Sequence, residues 1–588
     1  MPLTPLSGTL GPKRAAHLLR RATFGPTKDD IDTYGGKTAA ITVSDLFSAA
    51  LPTPDAPIDP ETGTEWAVSG VTDANSGEGD LQNYFKGWFL AQMMSSGVDP
   101  GMSLQYAARE KIVFFIHTVL TAITTKIDSS RALYFQNQLF RMYALTKSGD
   151  DTINFKELTK KVSVDNAMLR LLDGNLNVNG SPNENYAREL LELYTIGRGL
   201  EGHVPETTEP GDYFVYREAD VQAAAKVLSG WDFDDTFSNI DPDTLLPRGK
   251  VKGSPTNASA HDNTPKTFSD RFDGQIIQRP TDQVEFPGTG PTEATAFDEI
   301  SQLIDMIYTK RETALNICRR IYRFFVYHNI TEDIDTNIIS PLADTFIASG
   351  FKLQPVLEEL FMSEHFYDAT AGTVNDDNFG GIIRSPLDLM IGTYRMFDIT
   401  VPDYKTEPAA LYERTNAMLS QLGSMGMNFY EPYDVAGYDA YHQFPIFHRA
   451  WISTNYLTRR YELIRLLQDP MLPDGEKIDA YQFVYNKIQF ARAADAKLLI
   501  QDLAKYFLPQ NEGLTFDSAA DDDAGLTAER LNYFLTAFIK SPPIDVDPEA
   551  AWTDRWLHPE NYQEPEVVIG QLKALFNAML QSPEYQLY

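Results

Sequence analysis

Along most of this chain, apolar side chains recur at the spacing of one helix face. Val568, Leu572, Leu575, Phe576 and Met579 stand at i, i+4, i+7, i+8 and i+11, and Ala314, Ile317, Cys318, Ile321, Phe324 and Phe325 keep much the same rhythm. That period belongs to an amphipathic α-helix. Residues Pro12 to Phe24 predict a basic opening helix, with Leu18, Leu19 and Ala22 on one side and Arg14, Arg20 and Arg21 nearby. No alternating series predicts a strand, and no repeat of fixed period occurs. The expected fold is mainly α: a large multi-helix globular body, with more than about half of its residues helical against a usual third.

Two stretches break the rhythm. Thr53 to Gly79 is crowded with Pro, Gly, Asp and Thr, and Asp232 to Pro291 carries Pro247, Gly249, Gly253, Pro255, Pro265, Gly274, Pro280, Pro287 and Gly288. They read as long loop insertions within one unit spanning residues 1–588, with at most a minor β-hairpin inside the longer one and residues 300–588 as a C-terminal helical half. Loops of such length are commonly functional, or inserted and mobile.

The sharpest local signal runs from Ser181 to Gly197. Ser181 and Glu184 predict a capping box, Pro182 suits the first helical position, and Gly197 supplies a left-handed stop. At about 100° per residue, Asn185, Arg188, Glu189 and Glu192 share one arc, while Tyr186, Ala187, Leu190, Leu191, Leu193 and Tyr194 cover most of the rest. So wide an apolar arc predicts a buried helix with an enclosed polar stripe, in which Arg188 neutralises Glu189, Glu192 or a neighbouring acid. Two carboxylates beside a guanidinium can bind a polar ligand, hold a metal, or have their pKa values pushed apart for acid–base work. A plain ion-pair network is the structural alternative. Glu189, Glu192 and Arg188 are therefore candidate catalytic residues, and Asn183 and Asn185 candidate binding residues beside them.

His117 lies in the apolar run Ile112 to Leu120, where a histidine is either a neutral, hydrogen-bonded core residue or a base. The preceding Arg109-Glu110-Lys111 reads as surface charge. In the longer loop, His261-Asp262-Asn263-Thr264-Pro265-Lys266 gathers a base, a carboxylate and an amine. Loops supply catalytic groups more often than regular elements do, so His261 joins the catalytic candidates and Lys266 the binding ones.

Composition removes several classes of function. With 50 Lys+Arg against 82 Asp+Glu the formal charge is −32, which repels phosphate backbones and anionic headgroups and excludes a nucleic-acid role. No apolar run approaches about 18 residues, so no transmembrane segment is expected. The start Met1-Pro-Leu-Thr-Pro-Leu-Ser-Gly lacks the basic-then-apolar order of a signal peptide. Cys318 is the one cysteine, which precludes an intramolecular disulfide and thiolate zinc sites and leaves it a small hydrophobe on an apolar helix side. No metal site is expected and no cofactor is indicated. His-Glu-x-x-His and Gly-x-Ser-x-Gly are missing, and Gly36-Lys37-Thr38 has Ile31 where a P-loop needs its first glycine.

Taken in order, a series of blocks resembles the bacterial family of the domain of unknown function 1800. The blocks are His17-Leu-Leu-Arg-Arg-Ala-Thr-Phe-Gly25, Arg109 to His117, Gln136-Asn-Gln138, Asn154-Phe-Lys-Glu-Leu158, Ser181 to Gly197, Ala223 to Trp231 and His261 to Phe268. Arg319-Arg-Ile-Tyr-Arg-Phe-Phe325, Met427-Asn-Phe-Tyr-Glu-Pro-Tyr-Asp-Val-Ala-Gly437 and Ser582-Pro-Glu-Tyr585 complete it. Two positions depart from the family pattern. Val119 stands where a second histidine is common, which weakens any paired-imidazole metal site, and Tyr438 stands where tryptophan is usual. The resemblance implies no established activity. Its members are frequently exported and encoded beside sulfatase-like proteins, which allows export and implies a paired role in an envelope or polymer-handling pathway.

Two functions follow as expectations. The first is a partner- or polymer-binding scaffold, working with a sulfatase-like protein or a polymer, whose long loops form the recognition surface. The alternative is a hydrolytic enzyme combining Glu189, Glu192 and Arg188 with His117 and His261, which requires these distant segments to converge in one pocket.

Overall fold

A computed structural model describes residues 3–147, 150–279, 290–368, 379–520, 526–540, 545–562 and 565–588. The fold is mainly α, with 56% of the residues helical. Among the described residues strand is confined to three antiparallel pairs: Ile58–Asp59 with Thr64–Glu65, Trp231–Asp232 with Lys250–Val251, and Lys266–Thr267 with Ile276–Ile277. The longer loop stretch thus holds the expected short hairpin structure and the shorter stretch holds some as well. Pro280, Pro287 and Gly288 lie outside the described residues.

The helical periods appear where the sequence places them. The opening helix α1 is Gly11–Ala22 and buries Leu18 and Leu19. Helix α2 is Ser103–Val119 and α3 is Ser130–Ala144. Further on come α4 (Glu184–Glu189), α5 (Glu218–Val227), α6 (Glu293–Tyr308), α7 (Arg311–Phe325), α8 (Pro386–Met396), α9 (Thr454–Leu467) and α10 (Pro565–Leu580). On α7 Cys318 is buried, and burial pushes its thiol up, as suits an inert hydrophobe.

Helix α2 corrects one expectation. Arg109, Glu110 and Lys111 are not surface charge; all three are buried. A helix packed on every side has no wet face to offer its charges, so they must pair internally. Glu110 accepts from Arg109 Nε at 3.0 Å and from Arg141 Nε of α3 at 2.9 Å, and Lys111 donates to Asp388 of α8.

The described part of the longer loop stretch is tied down by buried charge. Asp241 accepts from Lys161 at 3.0 Å and from Arg248 at 3.1 Å, and Arg248 also bonds Glu293 of α6 at 3.1 Å. Asp234 accepts the backbone N–H groups of Ser238 and Asn239 at 2.7 and 2.9 Å. Charge-assisted bonds of this kind fix a loop as firmly as a regular element.

Candidate functional site

The local sequence sets α4 slightly later than the capping signal suggests. Asn183 is the N-cap, its Oδ1 accepting from Asn185 N at 3.1 Å. Ser181 and Pro182 lie outside the helix, Ser181 in an antiparallel bridge with Val178. The cap shifts because Asn183 is itself held, its N–H donating to Asn177 Oδ1 at 3.0 Å. After Glu189 the helix widens into a π-turn over Leu190–Tyr194, a feature frequent at functional sites. Gly197 ends the segment at φ +73°, its N–H donating to Leu191 O at 2.9 Å. A Cβ there would lie 2.7 Å from Asn316 Cγ, so glycine is needed for the approach of α7 as well as for the turn.

The polar stripe is neither enclosed nor fully wet. Asn185 is exposed, whereas Arg188, Glu189 and Glu192 are half-buried. Arg188 reaches sideways to Glu218 of α5, donating at 3.0 and 2.5 Å, and stands 3.5 Å from Glu184. These bonds to Arg188 hold the Glu218 carboxyl down at about 2. Glu192 accepts from Arg198 Nη2 at 2.6 Å and from the Tyr216 hydroxyl at 3.5 Å.

Glu189 is left over. Among the described residues no group donates to it or pairs with it. Burial first, and then the charge of Glu192, push its carboxyl up to about 6, with Arg188 opposing and Asp434 adding to the rise. Asp434 comes from the block 427–437 and also acts on Tyr194 and His442. Tyr194 donates to Val435 O at 3.3 Å, which fastens that block to the π-turn. His442 donates from Nε2 to Gly437 O at 3.3 Å, leaving Nδ1 as the acceptor nitrogen. Burial lowers its pKa, and the charge of Arg320 on α7 lowers it further.

The other sequence candidates stand elsewhere. His117 is fully buried and stacked on Tyr430, ring centroids 3.9 Å apart at 15°. Burial lowers it to about 3, so it is neutral, but neither ring nitrogen has a hydrogen-bond partner among the described residues. His261 bonds Ser229 O through Nδ1 at 2.9 Å and Glu299 of α6 through Nε2 at 3.0 Å. Lys266 donates to the same Glu299 oxygen and to Asp262 O. His261 and Lys266 therefore meet each other over Glu299, while Glu189 lies within electrostatic reach of Glu192, Arg188, Asp434 and Tyr194, and Asp434 in turn of His442. Asp434, His442 and Arg320 carried no signal of their own in the sequence. Asp434 and Arg320 fall inside family blocks, but nothing in their spacing joins those blocks to α4.

Among the described residues no group of three or more His, Cys, Asp or Glu side chains is placed to hold a metal ion, and no helix is long and apolar enough to cross a membrane. Neither the curated proteins nor the solved structures include a match to this chain. The family described as "Protein of unknown function (DUF1800)" matches it over residues 17–587. With the ordered blocks accounted for over nearly the full length, the chain belongs to the DUF1800 family.

Proposed function

We propose that this protein is a hydrolytic enzyme, with Glu189 as its proton donor. The supporting observation is the state of that carboxyl: half-buried, bonded to no described residue, and raised to about 6 in a stripe whose other charges are paired. A general acid works best when its pKa lies near the operating pH. Two carboxyls whose surroundings differ this much, one free and one bound to arginine, are a recurrent acid–base arrangement. In the proposed reaction the Glu189 proton passes to the leaving oxygen as the linkage breaks. Water adds its oxygen to the other fragment and loses a proton to His442 Nδ1. That proton returns to Glu189 through solvent, so one water is consumed and both groups are regenerated. Glu192 is a positioning residue, its charge sustaining the raised pKa of Glu189.

The polymer-binding expectation finds support on the same segment. Tyr433 and Phe444, 94% and 52% exposed, flank Asp434 and His442 in sequence and offer flat faces on which sugar or aromatic units of a polymer can pack. A polymeric substrate unites the two readings. The recognition surface lies there rather than in the longer loop, whose described part is clamped by buried ion pairs.

The test is hydrolysis of nitrophenyl esters and glycosides, and of soluble polysaccharides and polyesters, across pH 4–9. Turnover should fall as pH rises through about 6, and Glu189→Gln should lower kcat by about 10²–10⁴-fold with folding intact. Hydrolysis unchanged in Glu189→Gln, or none on any of these classes, would overturn the proposal.

A further inference from the structure

Arg320 is the cation that the ion pairs around this site leave over. Arg188 is committed to Glu218 and Glu184, Arg198 to Glu192, and Arg323 to Glu201, which it meets at 3.0 Å through Nη1. Arg320 has no hydrogen bond or ion pair with any described residue, and its Nε is wholly buried without an acceptor. It is half-buried on α7, which Asn316 fastens to the π-turn by donating from Nδ2 to Thr195 O at 2.7 Å, and it lies within electrostatic reach of Tyr194 and His442, on which Asp434 also acts. Burial, and then the like charge of Arg323, lower it to about 10, so it remains charged at neutral pH.

Arg131, Arg170, Arg248, Arg271 and Arg323 also bury an Nε without an acceptor, but each bonds through another guanidinium nitrogen, whereas Arg320 bonds through none among the described residues, and a guanidinium left so is costly. The nearby acids do not satisfy it: Glu201 is taken by Arg323, and neither Glu189 nor Asp434 forms an ion pair with it. An anionic group would satisfy it. A guanidinium presents parallel N–H donors that fit two oxygens of a carboxylate, sulfate or phosphate, and recognition of that geometry is its commonest use in a cleft. Among the described residues the site thus holds one carboxyl with no donor and one guanidinium with no acceptor, both within electrostatic reach of Tyr194.

Resting on the hydrolytic reading for the identity of the site, we propose that its substrate carries an oxyanion, a carboxylate, sulfate or phosphate group, bound by Arg320 while the neighbouring linkage lies at Glu189. Arg320 selects and orients the substrate, and the proton transfer belongs to Glu189. A polymer bearing such a group on each repeating unit would present one anion per register along the exposed aromatic faces.

The experiment measures binding without turnover, by titrating the full chain at pH 7 with inorganic sulfate, inorganic phosphate and acetate. The side-chain Nε–Hε resonance of Arg320 reports the contact. The expected result is saturable binding of at least one oxyanion with a shift of that resonance. Binding should weaken about tenfold or more in Arg320→Gln and only partly in Arg320→Lys, which keeps the charge and loses the fork. Preference for sulfate or phosphate assigns a tetrahedral group, and preference for acetate a carboxylate. Circular dichroism and the unfolding midpoint confirm that each variant folds, and the lysine variant keeps the test open should the glutamine one fail to fold. Binding unchanged in a folded Arg320 variant, or no binding of any probe, overturns the inference. Neutral esters hydrolysed equally by wild type and Arg320→Gln, with no oxyanion binding, would refute it while leaving the hydrolytic reading in place. Oxyanion binding without hydrolysis would do the reverse.

Discussion

Glu189 costs stability when it is ionised. Its pKa of about 6 lies above the ordinary 4.5, so the folded chain holds this proton more tightly than the unfolded chain does. For an acid shifted in that direction, the favourable contribution is complete below the unfolded value and is lost as pH rises through the folded one. Glutamine cannot ionise and escapes the loss. Glu189→Gln should therefore resist urea better than wild type at pH 7.5, by up to about 1 kcal/mol once solvent screening is allowed for, with the advantage gone at pH 4. Identical midpoints at both pH values would contradict a bare, partly desolvated carboxyl. Gain in stability on removal of an active group is common where function maintains an unfavourable arrangement.

Between elements, Glu110 on α2 is tied to Arg141 on α3 by two hydrogen bonds. Burial alone would raise the Glu110 carboxyl, but Arg141 and Arg109 more than reverse this and its pKa ends below the ordinary 4.5. The sign is then opposite to that of Glu189: the stabilisation is present above the unfolded value and is lost as pH falls through the folded one. Glu110→Ala leaves two buried guanidinium groups without their acid and should lower the unfolding free energy at pH 7 by about 3–5 kcal/mol. A loss below about 1 kcal/mol in a denaturant titration would mean that these charges keep their water. The charged triplet looked like surface because a run of three charges says nothing about how many neighbours surround its helix. The cap of α4 was misplaced for a related reason. Ser181 and Asn183 are both good caps, and the choice between them was made by Asn177, which lies outside the helix.

Across the whole molecule, buried cations join parts of the chain that are remote in sequence. Lys111 of α2 bonds Asp388 of α8, and both are buried. Arg384 donates to Leu587 O at 2.9 Å, while Arg460 of α9 donates to Gln586 Oε1 and to Arg384 O, each at 2.8 Å. The last residues of the chain are thereby held against its middle. Removing one charge from the lysine–aspartate pair should hurt far more than removing both. Asp388→Asn should cost about 3–5 kcal/mol, and the double substitution Lys111→Met with Asp388→Leu should recover most of it. A double variant as unstable as Asp388→Asn, measured by thermal or urea unfolding, would show that the pair is needed for more than mutual neutralisation.

The mainly α fold and its principal helices were legible because helical periodicity is a local property, set by side chains three and four positions apart. Val568 to Met579 and Ala314 to Phe325 each carry the whole signal for α10 and α7. The family was legible for a similar reason, since its blocks are short and stand in order. The site was legible only in its first half. Glu189, Glu192 and Arg188 share an arc that the sequence defines, yet that arc left open whether Arg188 would neutralise one of the other two or a neighbouring acid. Packing decided for a neighbour: α5 lies beside α4 and presents Glu218, which takes the guanidinium and leaves Glu189 bare. Asp434 acts on that carboxyl from a separate segment, Arg320 and Asp434 both act on Tyr194 and His442, and His261 is drawn away to Glu299. Which charges meet depends on which helices are neighbours in space, and that is fixed by burial summed over the whole chain rather than by the spacing of any part of it.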